Sequence, residues 1–145
     1  MIGFKGSGKS LLGKQLSLHL RRTFYDSDKV LEHRYFLNEK KRLKCRAIFR
    51  QHGELYFREL EKQVLEQLDK KKDSIIALGG GSLNSDTETI VSQMGTLIYL
   101  TLPKETVLKR QTTHDSKEFE AIYSQRKSLF EKYAHHTMEG FFHGI

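Results

Sequence analysis

The chain holds one cysteine, one proline and no tryptophan in 145 residues, and no apolar run long enough to cross a membrane. The single thiol, Cys45, excludes an intramolecular disulfide and any cysteine-cluster metal centre. With Pro103 the only proline, and no repeats or low-complexity stretches, nothing marks a linker. Residues 1–145 therefore read as a single domain able to bury a core. No secretory signal is evident, so the expectation is a cytoplasmic protein. Acid is also scarce relative to base: 18 Asp and Glu stand against 25 Lys and Arg, a net charge of +7. Short basic runs such as Lys40-Lys41-Arg42-Leu43-Lys44 and Lys70-Lys71-Lys72 are usually solvated helix faces. The charge fits attraction of small anionic substrates better than nucleic-acid binding. His135-His136, adjacent on a predicted helix, would point apart and suggests no metal site.

What is present begins at residue 3. Gly3-Phe-Lys-Gly6-Ser7-Gly8-Lys9-Ser10 is a complete G-x-x-x-x-G-K-[ST] phosphate-binding loop. Its glycines let successive backbone N–H groups turn toward phosphate oxygens. Lys9 supplies a cation for the β- and γ-phosphates, and the Ser10 hydroxyl is a ligand for Mg²⁺. Leu12, Leu16 and Leu20 follow at helical spacing and predict a buried stripe, so the loop feeds a helix N-terminus that favours anions. Only Met1 and Ile2 precede Gly3, which leaves the expected first strand very short.

Short apolar runs at Thr23–Tyr25, Ser74–Leu78 and Thr96–Thr101 predict strands buried on both faces. Helical patterns separate them. Phe57, Leu60, Val64 and Leu68 step through a helix starting near Gly53. Ser85 reads as an N-cap for a helix over 86–94 closed by Gly95, and a short helix follows Pro103 over 104–111. A long helix is expected over 117–136. Strands alternating with helices make an α/β fold with a parallel sheet and ligands at the strand carboxyl ends.

Two further groups fall at such ends. Asp26-Ser27-Asp28 follows Phe24-Tyr25; one carboxylate can face a metal and the other a substrate hydroxyl, or an Asp before Lys29-Val30-Leu31 can simply cap the next helix. Gly79-Gly80-Gly81 follows Ala77-Leu78 and is either a loop that a ligand touches or a plain turn. Arg126 lies at helical spacing between Ile122 and Phe130, on the inward stripe. A buried arginine requires an anion, supplied by a bound carboxylate or by a protein Glu or Asp. Arg58 has Glu54 and Glu61 as helix neighbours, and Glu61 can orient it.

Together, the phosphate loop, Asp26-Ser-Asp28, Phe57-Arg58-x-x-Glu61 and Gly79-Gly-Gly81 resemble shikimate kinase over nearly the whole chain. The resemblance implies a three-layer α/β/α P-loop kinase fold with a five-stranded parallel sheet, its first and last strands truncated here. It implies a substrate-binding segment at about 28–62 and a short lid at about 111–118. The activity implied is ATP-dependent phosphorylation of the shikimate 3-hydroxyl, with Mg²⁺ as cofactor, in a cytoplasmic monomer that binds neither nucleic acid nor membrane. By the same carry-over, Gly6, Ser7, Gly8, Lys9, Ser10 and Leu11 hold ATP, and Arg110 packs on its adenine. Ser10 and Asp26 hold the metal. Asp28 binds the acceptor hydroxyls and takes a proton; Arg58 and Arg126 grip the carboxylate beside Gly80 and Gly81. Phe49 and Phe57 form apolar walls near Cys45. Lys9, Asp28 and Arg58 are the implied catalytic set.

The sequence also departs from this pattern. The family lid carries an arginine, whereas no arginine occurs here between Arg110 and Arg126, and Lys117 offers only a point charge. Lys5 stands where an apolar residue is usual, either adding anion affinity or facing solvent. Phe141 and Phe142 look like core residues with little helix around them. A different small-molecule kinase of this fold, gluconate kinase-like, and a nucleotide-binding relic without turnover are the alternative readings.

Overall fold

The computed structural model describes residues 1–110 and 115–140. Its strands are β1 (Thr23–Asp26), β2 (Ser74–Ala77), β3 (Ile98–Thr101) and β4 (His136–Glu139). Helices α1 (Lys9–Leu20), α2 (Ser27–Glu39), α3 (Cys45–His52), α4 (Glu54–Asp69), α5 (Glu88–Ser92), α6 (Lys104–Arg110) and α7 (Ser116–Tyr133) alternate with them. β1 and β2 form one parallel pair, Thr23 opposite Ser74; β3 and β4 form another, Ile98 opposite His136. Met1 and Ile2 lie between the pairs. Met1 donates its nitrogen to Ile76 O at 2.7 Å, and its carbonyl accepts Leu78 N–H at 3.0 Å. Ile2 N–H donates to Ile98 O and Ile2 O accepts Leu100 N–H, both at 2.9 Å.

Two apolar clusters flank these strands. One gathers Ile2, Phe4, Leu78, Tyr99, Phe119 and Phe130, so it seats α7 against the strands. The other is built on α2, α3 and α4 from Leu31, Tyr35, Ile48, Leu60, Val64 and Leu68. Ile76 and Met94 pack against both. The predicted stripe of α4 is buried as its spacing requires, with Val64 and Leu68 each 1 % exposed.

Several expectations are corrected. In α1, Leu12 and Leu16 are half-buried and Leu20 is 49 % exposed. The close contact is at Gly13, where a Cβ would strike the Phe24 ring, so a small residue rather than a leucine stripe seats this helix. The helix expected over 117–136 ends at Tyr133; His136–Glu139 is a strand, and the last strand is present. His135 explains the break: its N–H donates to Leu97 O at 2.8 Å while its ring Nδ1 accepts Leu97 N–H at 2.9 Å. The pair His135-His136 is therefore not helical. Ser85 does not cap α5, which is shorter than predicted and starts after Thr87; the Thr87 hydroxyl donates to Ser82 O. Strand burial is uneven too, since β1 is only half-buried while Tyr99 and Leu100 of β3 are enclosed. Residues 111–114 of the expected lid, and Phe141 and Phe142, lie outside the described residues. From 115 onward the expected lid is helix: Asp115 caps α7 through the amides of Lys117 and Glu118, and the Lys117 side chain is exposed. Among the described residues no helix is long and apolar enough to cross a membrane.

Candidate active site

The phosphate loop turns into α1 through Gly8, whose φ of 93° is left-handed and suits glycine. Lys9 is 8 % exposed. Its Nζ donates to the loop's own carbonyls, Gly3 O at 2.8 Å and Phe4 O at 2.9 Å. Burial lowers its pKa to about 8, against the opposing pull of Asp28 and Asp26. Ser7 is fully enclosed within the loop, whereas Leu11, in the first turn of α1, is 46 % exposed. Arg110, at the end of α6, reaches back over the loop and its Nη1 donates to Gly6 O. The sequence-predicted nucleotide residues thus sit together.

Asp26 ends β1 and does two things at once. Its Oδ1 caps α2 by accepting the amides of Asp28 at 3.0 Å and Lys29 at 3.4 Å. Its Oδ2 accepts the Ser10 hydroxyl at 2.8 Å. The cap at the start of α2 is thus Asp26 rather than Asp28, and the same carboxylate reaches Ser10 because β1 delivers it beside the start of α1. Asp28, in the first turn of α2, faces the same cleft of about 280 Å³, lined also by Lys5, Lys9, Ser10, Gly79 and Gly80. Burial, then the Asp26 charge, raises its pKa, while Lys9 pulls it down.

The glycine run after β2 touches charged side chains at each end. A Cβ on Gly79 would strike Asp28 Oδ1. One on Gly81 would lie 2.8 Å from Arg126 Nη2, and Arg58 Nη1 donates to Gly81 O at 3.3 Å. Both guanidinium groups therefore converge on Gly81, from α4 and α7. Their surroundings differ. Arg58 pairs with Glu61 at 2.9 Å, Glu61 being 4 % exposed and raised in pKa chiefly by burial. Arg126 is half-buried and makes no ion pair or hydrogen bond among the described residues. Burial, then the Arg58 charge, lowers its pKa. Of the two anions expected for it, a protein carboxylate is not in contact among the described residues.

Phe49 and Phe57 stand edge to face, ring centroids 5.6 Å apart, on α3 and α4. Cys45 Sγ lies 3.5 Å from Asp28 O, and burial raises its pKa far out of the reactive range. Lys5 is exposed and lines the cleft, so facing solvent and facing the site coincide.

Sequence reasoning missed the scaffolding. Ser27 is buried and its hydroxyl accepts Gly79 N–H at 2.8 Å, tying α2 to the glycine run. Ser82 and Asn84 donate to the two oxygens of Glu61 at 3.3 and 3.2 Å, and Asn84 also donates to Gly81 O. Only their position just after three glycines hinted at a role.

A family model described as shikimate kinase matches residues 5–140. The curated shikimate kinase of Persephonella marina is 36% identical over 140 residues, covering 90% of this chain and 81% of that protein. That of Aquifex aeolicus is 36% identical over 136 residues, covering 91% and 76%. The crystal structure of the A. aeolicus shikimate kinase superposes with a TM-score of 0.83 at 31% identity, covering 96% of this chain and 84% of that one. The Acinetobacter baumannii shikimate kinase in complex with shikimate gives 0.83 at 28% identity, covering 98% and 82%.

Proposed function

The chain belongs to the shikimate kinase family, and on that premise we propose that it transfers the γ-phosphoryl group of ATP to the 3-hydroxyl of shikimate. The product serves aromatic amino acid biosynthesis through chorismate. The observation that carries the assignment of the acceptor is the convergence of Arg58 and Arg126 on Gly81. Two guanidinium groups on one backbone turn form a fork for a carboxylate, the group by which shikimate differs from neutral polyols.

In this reading the amides of Gly6, Ser7, Gly8, Lys9 and Ser10 cradle the phosphates at the α1 N-terminus, with Leu11 completing the first turn. Lys9 exchanges its two carbonyl partners for phosphate oxygens, and Arg110 leaves Gly6 to lie against adenine. Ser10 and Asp26 fit Mg²⁺, since their hydrogen-bonded oxygens already face the cleft and Asp26 stays fixed by its cap on α2. Magnesium bound there would neutralise charge on the β- and γ-phosphates. Asp28 orients the acceptor hydroxyl and accepts its proton; its raised pKa makes it a better base than an exposed carboxylate. Gly80 and Gly81 let the acceptor approach the backbone, and Phe49 and Phe57 wall it in. Lys9, Asp28 and Arg58 form the catalytic set.

Residues 28–62 supply most acceptor contacts, and the lid belongs near 111–118. Met1 and Ile2, hydrogen-bonded on both sides, support reading the two strand pairs as one five-stranded parallel sheet within a three-layer, single-domain kinase. Every assigned residue comes from one chain, so a monomer suffices, working in the cytoplasm where MgATP is supplied.

The test is ADP release from MgATP by the purified chain, with and without shikimate and with gluconate as control acceptor. Shikimate-dependent release is expected. Bound ATP without turnover, or turnover on gluconate alone, would sink the assignment.

A further inference from the structure

Lys5 sits at a variable position of the phosphate loop, and the assignments above leave it without a role. Its side chain is exposed, yet it lines the cleft shared by Lys9, Asp26, Asp28 and Gly80. Two contacts fix its backbone there. Phe4, the preceding residue, is 3 % exposed and stacks on Tyr123 of α7 with centroids 5.0 Å apart. From the other side Gly80 approaches so closely that a Cβ on it would lie 3.1 Å from the Lys5 nitrogen. Residue 5 is thus held where the phosphate loop meets the glycine run, between the donor and acceptor halves of the cleft. Among the described residues its ammonium has no ion pair or hydrogen bond, whereas Lys9 is committed to two carbonyls.

We propose that Lys5 is a further catalytic residue, a mobile cation that binds the phosphoryl group while it moves from ATP to the acceptor. This rests on the kinase reading above. In the step, the acceptor oxygen bonds to the γ-phosphorus as the bond to the β,γ-bridging oxygen breaks. The bonding pair leaves with ADP, and the hydroxyl proton goes to Asp28. Lys5 stays protonated throughout and offsets charge on the three equatorial oxygens. A compact ammonium on a flexible stem can follow that group as it moves.

The experiment is steady-state kinetics with MgATP and shikimate for the unaltered chain, K5M and K5R, with thermal melts of each. K5M should lose roughly ten- to a hundredfold in kcat, less than the 10²–10³ typical of an enclosed donor. Its KM for ATP and its melting temperature should stay put, and K5R should recover part of the rate. Full kcat in K5M, or a loss confined to KM for ATP, overturns the Lys5 assignment and leaves the kinase reading standing. An unaltered chain inactive on shikimate overturns both.

Discussion

On the phosphate-loop side of the cleft, Lys9 and Ser10 hold hydrogen bonds to the protein itself, whereas on the glycine-run side Arg126 lies at Gly81 with none among the described residues. The first arrangement stores the ligand's partners in internal bonds that binding must exchange. The second sets a half-buried cation next to a twin, Arg58, that Glu61 already pairs. The difference teaches where binding energy is spent. On the proposed reading, nucleotide binding swaps one set of contacts for another, while acceptor binding gives Arg126 an anion.

The largest effect expected from breaking this comparison is at Lys9. Lys9→Met should cut kcat by about a thousandfold, the upper range for one buried donor to a transition state. Its folding effect has the opposite sign. Lys9 titrates at about 8 folded against 10.5 ordinarily, so the unfolded chain binds the proton more tightly. Stability of the unaltered chain should rise with pH between those values, and Lys9→Met should melt no lower at neutral pH. A melting temperature clearly below the parent would show that the two carbonyl bonds outweigh burial of the charge.

Arg126→Ala should come next, costing about two orders of magnitude in kcat/KM for shikimate, as for a lost partner of a buried charge pair. Because it frees no protein partner, its melting temperature should not fall. Arg58→Ala should weaken shikimate binding too, and in addition lose about 1–3 kcal/mol of stability by removing the only cation paired with the buried Glu61 among the described residues. Chemical denaturation of both variants checks the contrast; equal stability losses would erase it.

Asp28 gives a subtler handle. Its carboxyl is raised above 3.8, so its contribution to stability is full below that value and lost as pH rises through the folded one. Asp28→Asn should therefore be more stable at neutral pH while losing activity, seen by comparing melts with turnover. The smallest effect is expected at Gly79→Ala: the new Cβ meets Asp28 Oδ1 and lies 3.0 Å from Ser82 Oγ, displacing the base. A drop of about tenfold in kcat with a stability change near 1 kcal/mol is expected; an unchanged kcat would show that Asp28 moves freely.

How much of this was legible in the sequence follows from the range of each interaction. The phosphate loop and the α4 stripe are local patterns, and both stand where their spacing put them, whereas the cap of α2 falls at Asp26 rather than directly before Lys29. The inward turn of Arg126 was legible because Ile122 and Phe130 bracket it. The α1 stripe failed because Gly13 against Phe24 is a contact between elements, invisible to periodicity. β4 failed because its exposed sequence has no strand pattern of its own and is defined only by pairing with β3 and by His135 on Leu97. Ser27, Ser82 and Asn84 are polar groups in loops or caps whose partners lie far along the chain, and nothing local names those partners.

The placement of Met1 and Ile2 has a consequence in time. Met1 meets Ile76 across 75 positions of sequence, and Ile2 reaches still farther, to Ile98 and Leu100. No local contact can form this join, and it draws the two strand pairs together through one short segment. Closing loops of that length is entropically slow and rewarded only late. Folding should accordingly be rate-limited by the docking of the very segment that carries the phosphate loop, making nucleotide competence the last property the chain acquires.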